Sequence, residues 1–211
     1  MSADSVIILS RGGMPGLVAA TLALQEIPAR HLILLHFDHP TRHAGIGLDH
    51  LERQAGHLGG ARLVRGTLGN IGSMRIEDPD LEAVPLEPVL LLSAALSAAV
   101  SLGARRIIWP RRAGGHPQEA AHAAETVTLV SHLAELERTE VPGIESPLLE
   151  LEDLSFMELG MQLNAPWQLA WSCDLEGPHP CRACAGCRRR HHLFAQVCLR
   201  DPSMEPVRQP A

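Results

Sequence analysis

Lysine and tyrosine are both absent from the 211 residues of this chain, and aromatic residues make up only 3% of it. The absence of lysine excludes any mechanism that places an ε-amino group on a phosphate or a carbonyl. Every basic side chain other than histidine is therefore a guanidinium, which can hold an oxyanion with two parallel donors. A formal charge of −6 argues against direct nucleic-acid binding, because such binding depends on excess positive charge.

A hydrophobic run of membrane-spanning length is also missing. The apolar stretch from Val89 to Leu102 is too short and contains serine, so it predicts a buried helix. The N-terminus lacks the charged-then-apolar pattern of a secretory signal, which predicts a cytoplasmic protein. A hydrophobic content of 45% over this length predicts one ordinary domain with a full core.

Four cysteines near the C-terminus have the most informative spacing in the chain. Cys173, Cys181, Cys184 and Cys187 follow the pattern C-x7-C-x2-C-x2-C. Two-residue gaps let successive thiolates turn back onto one ion, so we expect a structural zinc site with four ligands. Disulfides would need an oxidising compartment, and an iron–sulfur cluster that used Cys198 would need a shorter last gap followed by proline. Cys198 is then expected to be a buried apolar side chain.

Short apolar runs alternate with helical patterns along the first half of the chain. The predicted strands are Val6–Ser10, His31–Phe37, Ala61–Val64 and Arg106–Trp109, and the predicted helices are Leu17–Gln25, Leu48–Leu58 and Pro88–Gly103. This order predicts a Rossmann-like α/β fold, in which helices flank a parallel sheet and ligands bind at the carboxyl ends of its strands. A Gly-, Pro- and Cys-rich composition predicts a metal-binding segment over 171–211, packed on an α/β domain over 1–170.

The loop Arg11-Gly-Gly-Met-Pro-Gly16 lies between the first predicted strand and the first predicted helix. Glycines let the backbone approach an anion, and a helix N-terminus presents N–H groups, so Arg11, Gly12, Gly13 and Gly16 are candidate anion-binding residues. The same sequence is typical of a tight strand-to-helix connection with Pro15 in the first helical turn.

Several motifs, taken in order along the chain, together resemble one family. Besides the Gly-Gly loop they are Phe37-Asp38, Arg42-His43, Leu92-Ser93-Ala94, Trp171-Ser-Cys173 with the spaced cysteines, and Asp201-Pro202. They resemble the 7-cyano-7-deazaguanine synthase (QueC-like) family of PP-loop ATP pyrophosphatases, which have an adenine nucleotide alpha hydrolase-like fold. The resemblance implies that the four cysteines bind zinc, that Arg42 and His43 lie near a substrate pocket, and that the protein forms a homodimer.

The family activates the carboxylate of 7-carboxy-7-deazaguanine with ATP, adds ammonia and eliminates water to give the nitrile, a step in queuosine biosynthesis. The resemblance therefore implies a deazapurine and ATP with Mg²⁺ as ligands. The chain departs from the family's S-G-G-L-D-S loop, because Arg11 stands at the first serine, Pro15 at the aspartate and Gly16 at the last serine. None of these replacements can supply the lost hydroxyls or the carboxylate.

Other family motifs are changed as well. The family's V-P-N-R-N corresponds to Val84-Pro-Leu-Glu-Pro88, and its S-G-Y-P-D-C-R corresponds to Gly114–Ala120. Asp153 and Ser155 stand where the family has lysine and glutamate. These losses predict a protein whose family reaction is lost or altered. The alternatives are an active ATP-dependent ligase with a rebuilt site, and a protein that binds or modifies a deazaguanine.

Two further expectations concern charged residues. Arg11, Arg42, His43, Arg111, Arg112 and His116 are expected to ring one end of the sheet, either as an anion pocket or as solvated loop residues. The run Arg188-Arg-Arg-His-His192 predicts a solvated helix start, and residues 201–211 are expected to fray.

Overall fold

The computed structural model describes residues 5–38, 44–67, 87–175 and 177–204. These residues contain five strands and six α-helices. In chain order they are β1 (Val6–Leu9), α1 (Met14–Ala23), β2 (Leu32–Asp38), α2 (Ala44–His57), β3 (Arg62–Thr67), α3 (Glu87–Leu102), β4 (Arg106–Ile108), α4 (Pro117–Glu137), β5 (Gly143–Glu145), α5 (Asp153–Gln162) and α6 (Ala185–Gln196).

All five strands join one parallel sheet in the order β3-β2-β1-β4-β5. Ile7 at the centre pairs with Ile33 on one side and with Ile107 on the other. The chain runs outward from β1 through β2 to β3, then returns to the opposite side of β1 for β4 and β5. The order therefore reverses between β1 and β4, which is where open α/β sheets hold their ligands.

Helices cover both faces of the sheet, which explains why β1 reads Val-Ile-Ile-Leu without a polar residue. Val6 and Ile8 face a core built with α1, α2, α5 and α6. Ile7 and Leu9 face a second core built with α3 and α4. The predicted parallel sheet flanked by helices is confirmed, and no helix in the described ranges is long and apolar enough to cross a membrane.

The four predicted strands and three predicted helices all exist, with ends displaced by a few residues. The sequence pattern did not predict β5, α4 or α5. It did not predict the bounds of α6 either, although the basic run indicated a helix that starts near Arg188.

Candidate functional site at the carboxyl edge of the sheet

A crevice of about 470 Å³ opens at the point where the strand order reverses. Ser10 after β1, Phe37 in β2 and Trp109 after β4 contribute to its walls. The start of α3, Phe156 of α5 and Leu193 of α6 contribute the remainder. Cavities of this volume hold small organic ligands. The crevice therefore occupies the position that the βαβ order predicts for a ligand.

The glycine loop at the crevice is fixed by its backbone. Gly12 has a φ of +80°, and a Cβ there would collide with the carbonyl oxygen of Gly47 in α2, so the position requires glycine. The Gly12 carbonyl accepts hydrogen bonds from the Trp171 backbone N–H and from Gln54 Nε2, both at 2.9 Å. The Gly12 N–H donates to Ser10 Oγ at 3.3 Å. The loop is thus held by α2 and by the segment before the cysteines.

The first turn of α1 lines the crevice but contributes no polar side chain to it. Met14, Pro15 and Gly16 all line it. Pro15 has no N–H to donate. A Cβ at Gly16 would collide with Ser10 Oγ and lie 3.0 Å from Ser10 Cβ, so no side chain fits there while Ser10 keeps its position. This turn therefore offers a ligand backbone N–H groups and the positive end of the helix dipole.

The crevice wall is strongly basic. Five charged residues line the crevice, and all of them are arginines: Arg11, Arg111, Arg112, Arg189 and Arg190. Among the described residues, no aspartate or glutamate lines it. Partial desolvation within the crevice lowers the pKa of Arg11. Arg111 is half exposed and lies 3.6 Å from Glu119 of α4. Asp153 and Asp201 pair with Arg112 and Arg190 from outside the wall, and the remaining excess of guanidinium groups favours an anionic ligand.

The structure places the candidate anion-binding residues as follows. Five of them line the crevice: Arg11, Gly13, Gly16, Arg111 and Arg112. Gly12 does not line it, but its carbonyl accepts the hydrogen bonds that hold the loop in place. His116 instead precedes α4 as its N-terminal cap residue, and it does not line the crevice. The remaining two candidates, Arg42 and His43, lie outside the described residues, as do Val84, Pro85 and Leu86.

Arg190 corrects two expectations from the sequence. Its side chain is only 4% exposed and pairs with Asp201, which is 6% exposed. Arg190 Nε donates to both Asp201 carboxylate oxygens at 2.9 Å, while Nη1 and Nη2 donate to the carbonyls of Ala170 and Trp167. The basic run is therefore not a wholly solvated helix start, and Asp201 is held in place and does not fray.

The four cysteines come together beside the crevice. Cys173, Cys181, Cys184 and Cys187 place all four Sγ atoms within 4.8 Å of one another. The Cys181–Cys187 and Cys173–Cys184 Sγ separations are 3.9 and 3.8 Å. A tetrahedral ion with metal–sulfur bonds of about 2.3 Å requires Sγ separations of about 3.8 Å. The donor set therefore fits a single metal ion held by four thiolates.

Backbone N–H groups and burial act on these thiols in opposite directions. The N–H groups of Ala183 and Cys184 point at Cys181 Sγ, at 3.5 and 3.3 Å, and lower the pKa of Cys181 to about 6. Burial raises the pKa of Cys187 and that of Cys184. Cys184 caps α6 through its Sγ, which accepts from the Cys187 N–H at 3.4 Å. The cluster thus begins the helix whose next turns line the crevice.

Cys198 is exposed, so the expectation of a buried apolar side chain is wrong. It follows the end of α6 with a φ of 52°, a left-handed conformation typical of the residue after a helix. The turn directs its side chain outward. Its place in the sequence, shortly after the buried Leu193 and Phe194 of α6, gave no sign of this turn.

Comparison with solved structures supports the fold. The chain superposes on the U34-tRNA thiolase NcsA from Methanococcus maripaludis, solved with its [4Fe-4S] cluster, with a TM-score of 0.58 and 14% identity over 93% of this chain and 68% of that one. It superposes on NMN synthetase from Francisella tularensis with a TM-score of 0.55 and 15% identity, over 93% and 78% of the two chains. At these identities the likeness concerns architecture alone.

Sequence comparison identifies the family. A 7-cyano-7-deazaguanine synthase of Chlorobium phaeovibrioides is 28% identical over 96% of both chains, and one of Methanothrix thermoacetophila is 25% identical over 93% of this chain and 96% of its own. The Nostoc enzyme of the same name is 33% identical over 56% of this chain and 54% of its own. The family model described as queuosine biosynthesis protein QueC matches residues 4–198, so this chain belongs to the QueC family.

Proposed function

We propose that this QueC-family protein binds a deazaguanine-type ligand in the crevice but does not use ATP to convert a carboxylate into a nitrile. The observation that carries the proposal is the first turn of α1, where Pro15 and Gly16 line the crevice. The ligand class is supported by the relatives named 7-cyano-7-deazaguanine synthase. The basic wall and the volume of about 470 Å³ suit a small anion of this kind.

Loss of the ATP-dependent step follows from how phosphate chemistry is catalysed. Such catalysis consists almost entirely of positioning and of electrostatic stabilisation by donors and metal ions. Pro15 lacks both a side-chain donor and an N–H, and Ser10 occupies the space in which a side chain at position 16 would lie. Removing a single electrostatic donor typically lowers kcat by about a hundredfold to a thousandfold. Several simultaneous losses leave little of the family's reaction.

We propose zinc as the metal of the cysteine cluster, with a structural role. Four thiolates fill a tetrahedral shell and leave no position for a reactive water. The cluster starts α6, and Gly186, Arg189 and Leu193 of that helix line the crevice. A bound ion would therefore fix one wall of the crevice. Metal analysis of the purified protein should give one zinc per chain, and iron in its place would overturn this assignment.

The test of the main proposal uses the zinc-loaded protein, with the 28% identical Chlorobium relative as the positive control. The protein is titrated with 7-carboxy-7-deazaguanine by calorimetry and then incubated with ATP, Mg²⁺ and ammonia while AMP is measured. We expect saturable binding of the base and no base-dependent AMP. AMP release that depends on the deazaguanine would refute the loss of activity, and absence of base binding would refute the ligand class.

The second candidate is an active ligase with a rebuilt site. It is favoured by one observation, because Arg11 stands at the mouth of the glycine loop and could hold a phosphate in place of the family's serine. If AMP release is found, Arg11→Ala should lower it by about a hundredfold or more. An unchanged rate would exclude this role for Arg11.

The family resemblance also leads us to propose a homodimer. In α4 the side chains of Leu129, Leu133 and Leu136 are exposed at helical spacing, so this helix offers an apolar stripe. Sedimentation equilibrium of the wild type and of Leu133→Glu tests the proposal. We expect a dimer that the substitution converts to a monomer.

A further inference from the structure

Two of the arginines that line the crevice are almost fully buried, and they differ in how well their donors are satisfied. Arg190, 4% exposed, uses all three of its nitrogens on Asp201 and on two backbone carbonyls. Its charge is balanced and its geometry is fixed by the fold alone. Arg190 is therefore a structural residue, and it shows what a fully satisfied buried guanidinium looks like in this protein.

Arg112 is 5% exposed but much less satisfied. Within the described part of the chain its one hydrogen bond runs from Nη2 to Asp153 Oδ1 at 2.6 Å. Its Nε is buried without a partner among those residues. A guanidinium has five N–H donors, and buried donors are rarely left unpaired in native proteins. Donors in excess on a residue that lines a cavity indicate a partner beyond the described residues, and a ligand in the cavity would supply one.

The surroundings of Arg112 specify the charge of that partner. Arg189 of α6 shares the same carboxylate oxygen, at 3.6 Å from Asp153 Oδ1, so two guanidinium groups face a single carboxylate. Burial lowers the pKa of Arg112, as it does that of Arg190, so the excess of positive charge follows from the geometry, in which two guanidinium groups share one carboxylate. An additional negative charge near Arg112 and Arg189 would complete the balance.

The aromatic side chains that line the crevice indicate the shape of the rest of the ligand. Phe37 and Trp109 are partly exposed at the crevice, and the Phe156 ring stacks under the Arg112 guanidinium, 3.9 Å from Cζ to the ring centroid. The stacking fixes the guanidinium plane, as is common where arginine holds a planar oxyanion. Flat apolar walls beside it suit an aromatic ring.

We propose that Arg112 is the oxyanion receptor of the crevice, and that it binds a carboxylate or phosphate carried on a planar ring, with Asp153 as the counter-ion that holds it in position. This inference rests on the proposed function only in placing a small ligand in the crevice. It adds the residue that discriminates a charged ligand from its neutral analogue.

The experiment compares two matched pairs of ligands by calorimetry on the zinc-loaded protein. The first pair is 7-carboxy-7-deazaguanine with the neutral 7-cyano-7-deazaguanine, and the second is AMP with adenosine. We expect the wild type to prefer the charged member of one pair by about tenfold to a hundredfold, the usual value of a charge-assisted hydrogen bond. Arg112→Gln should abolish that preference, while Arg106→Gln, at the amino end of β4 and paired with Glu145, should keep it.

Asp153→Asn should change the affinity for the charged ligand in the direction opposite to Arg112→Gln. Asparagine keeps an amide oxygen that can accept from Arg112 Nη2 and hold the guanidinium in position, but it removes the negative charge that competes with the ligand. Binding of the charged ligand should therefore strengthen, whereas a purely structural role of the pair would make both substitutions weaken it. Thermal melts of each variant identify loss of the fold. The preference of the wild type for the charged ligand is measured independently of any variant.

The outcomes separate the two proposals. Equal binding of the acid and the nitrile by the wild type would overturn the role of Arg112 and leave deazaguanine binding intact. An Arg112-dependent preference for AMP, with no binding of either base, would support the receptor and overturn the deazaguanine ligand. Absence of binding of all four compounds would overturn both.

Discussion

The buried ion pair between Arg190 and Asp201 gives the sharpest prediction of stability. Asp201→Asn keeps the shape of the side chain but removes the charge that balances Arg190, and only 4% and 6% of the two side chains are exposed. Breaking a buried pair on one side leaves an uncompensated charge, which costs about 3–5 kcal/mol. Urea denaturation of the zinc-loaded protein, followed by circular dichroism, should show a loss of this size in the free energy of unfolding.

The matched control is the pair between Arg106 and Glu145, whose side chains are 37% and 42% exposed. Glu145→Gln should cost less than about 1 kcal/mol, because solvent screens exposed pairs. A cost for Asp201→Asn no larger than that for Glu145→Gln would show that burial does not set the strength of these two pairs. Replacing both Arg190 and Asp201 by apolar residues should recover part of the loss, since neither charge then remains unpaired.

Three further predictions follow from single positions. In the metal-free protein the alkylation rate of Cys181 should rise through pH 6 and level off above it, because thiolate is the reactive form and backbone N–H groups lower its pKa to about 6. A midpoint above pH 8 would contradict this. Gly16→Ser should cost about 1–3 kcal/mol through overpacking against Ser10, and Ser10→Gly in the same chain should relieve part of it; additive losses would refute the contact. Cys198→Ala should change the free energy of unfolding by less than about 0.5 kcal/mol, since its side chain is exposed, and a larger loss would indicate hidden contacts.

The central strands could be predicted from the sequence because burial on both faces requires continuous apolar residues. Val6–Leu9 and Leu32–Leu35 meet that requirement in full. The edge strand Gly143–Glu145 has three residues, of which only Ile144 is apolar, so no pattern distinguishes it from a loop. It becomes a strand because β4 offers it hydrogen-bond partners, from Arg106 to Ile108.

The cysteine cluster could be predicted because its ligands are close in sequence and their spacing sets the geometry. Whether a given arginine is exposed or buried, and which residue it pairs with, could not be predicted from the sequence. Arg189 and Arg190 are neighbours in one basic run, yet the first is exposed and the second is buried against Asp201. The partners of Arg112 come from α5, well beyond it in the chain, and composition carries no information on which arginine meets them.

The hydrogen bond from the Trp171 N–H to the Gly12 carbonyl has a consequence for the order of events during synthesis. The glycine loop is synthesised well before Trp171, so its backbone lacks this hydrogen bond until Trp171 has been added to the chain. At about 5–20 residues per second, that delay lasts roughly ten to thirty seconds. The sheet can assemble in this interval while the loop still lacks one of its supports. A ligand of the crevice would therefore bind and stabilise completed chains, and it would not select among unfinished ones.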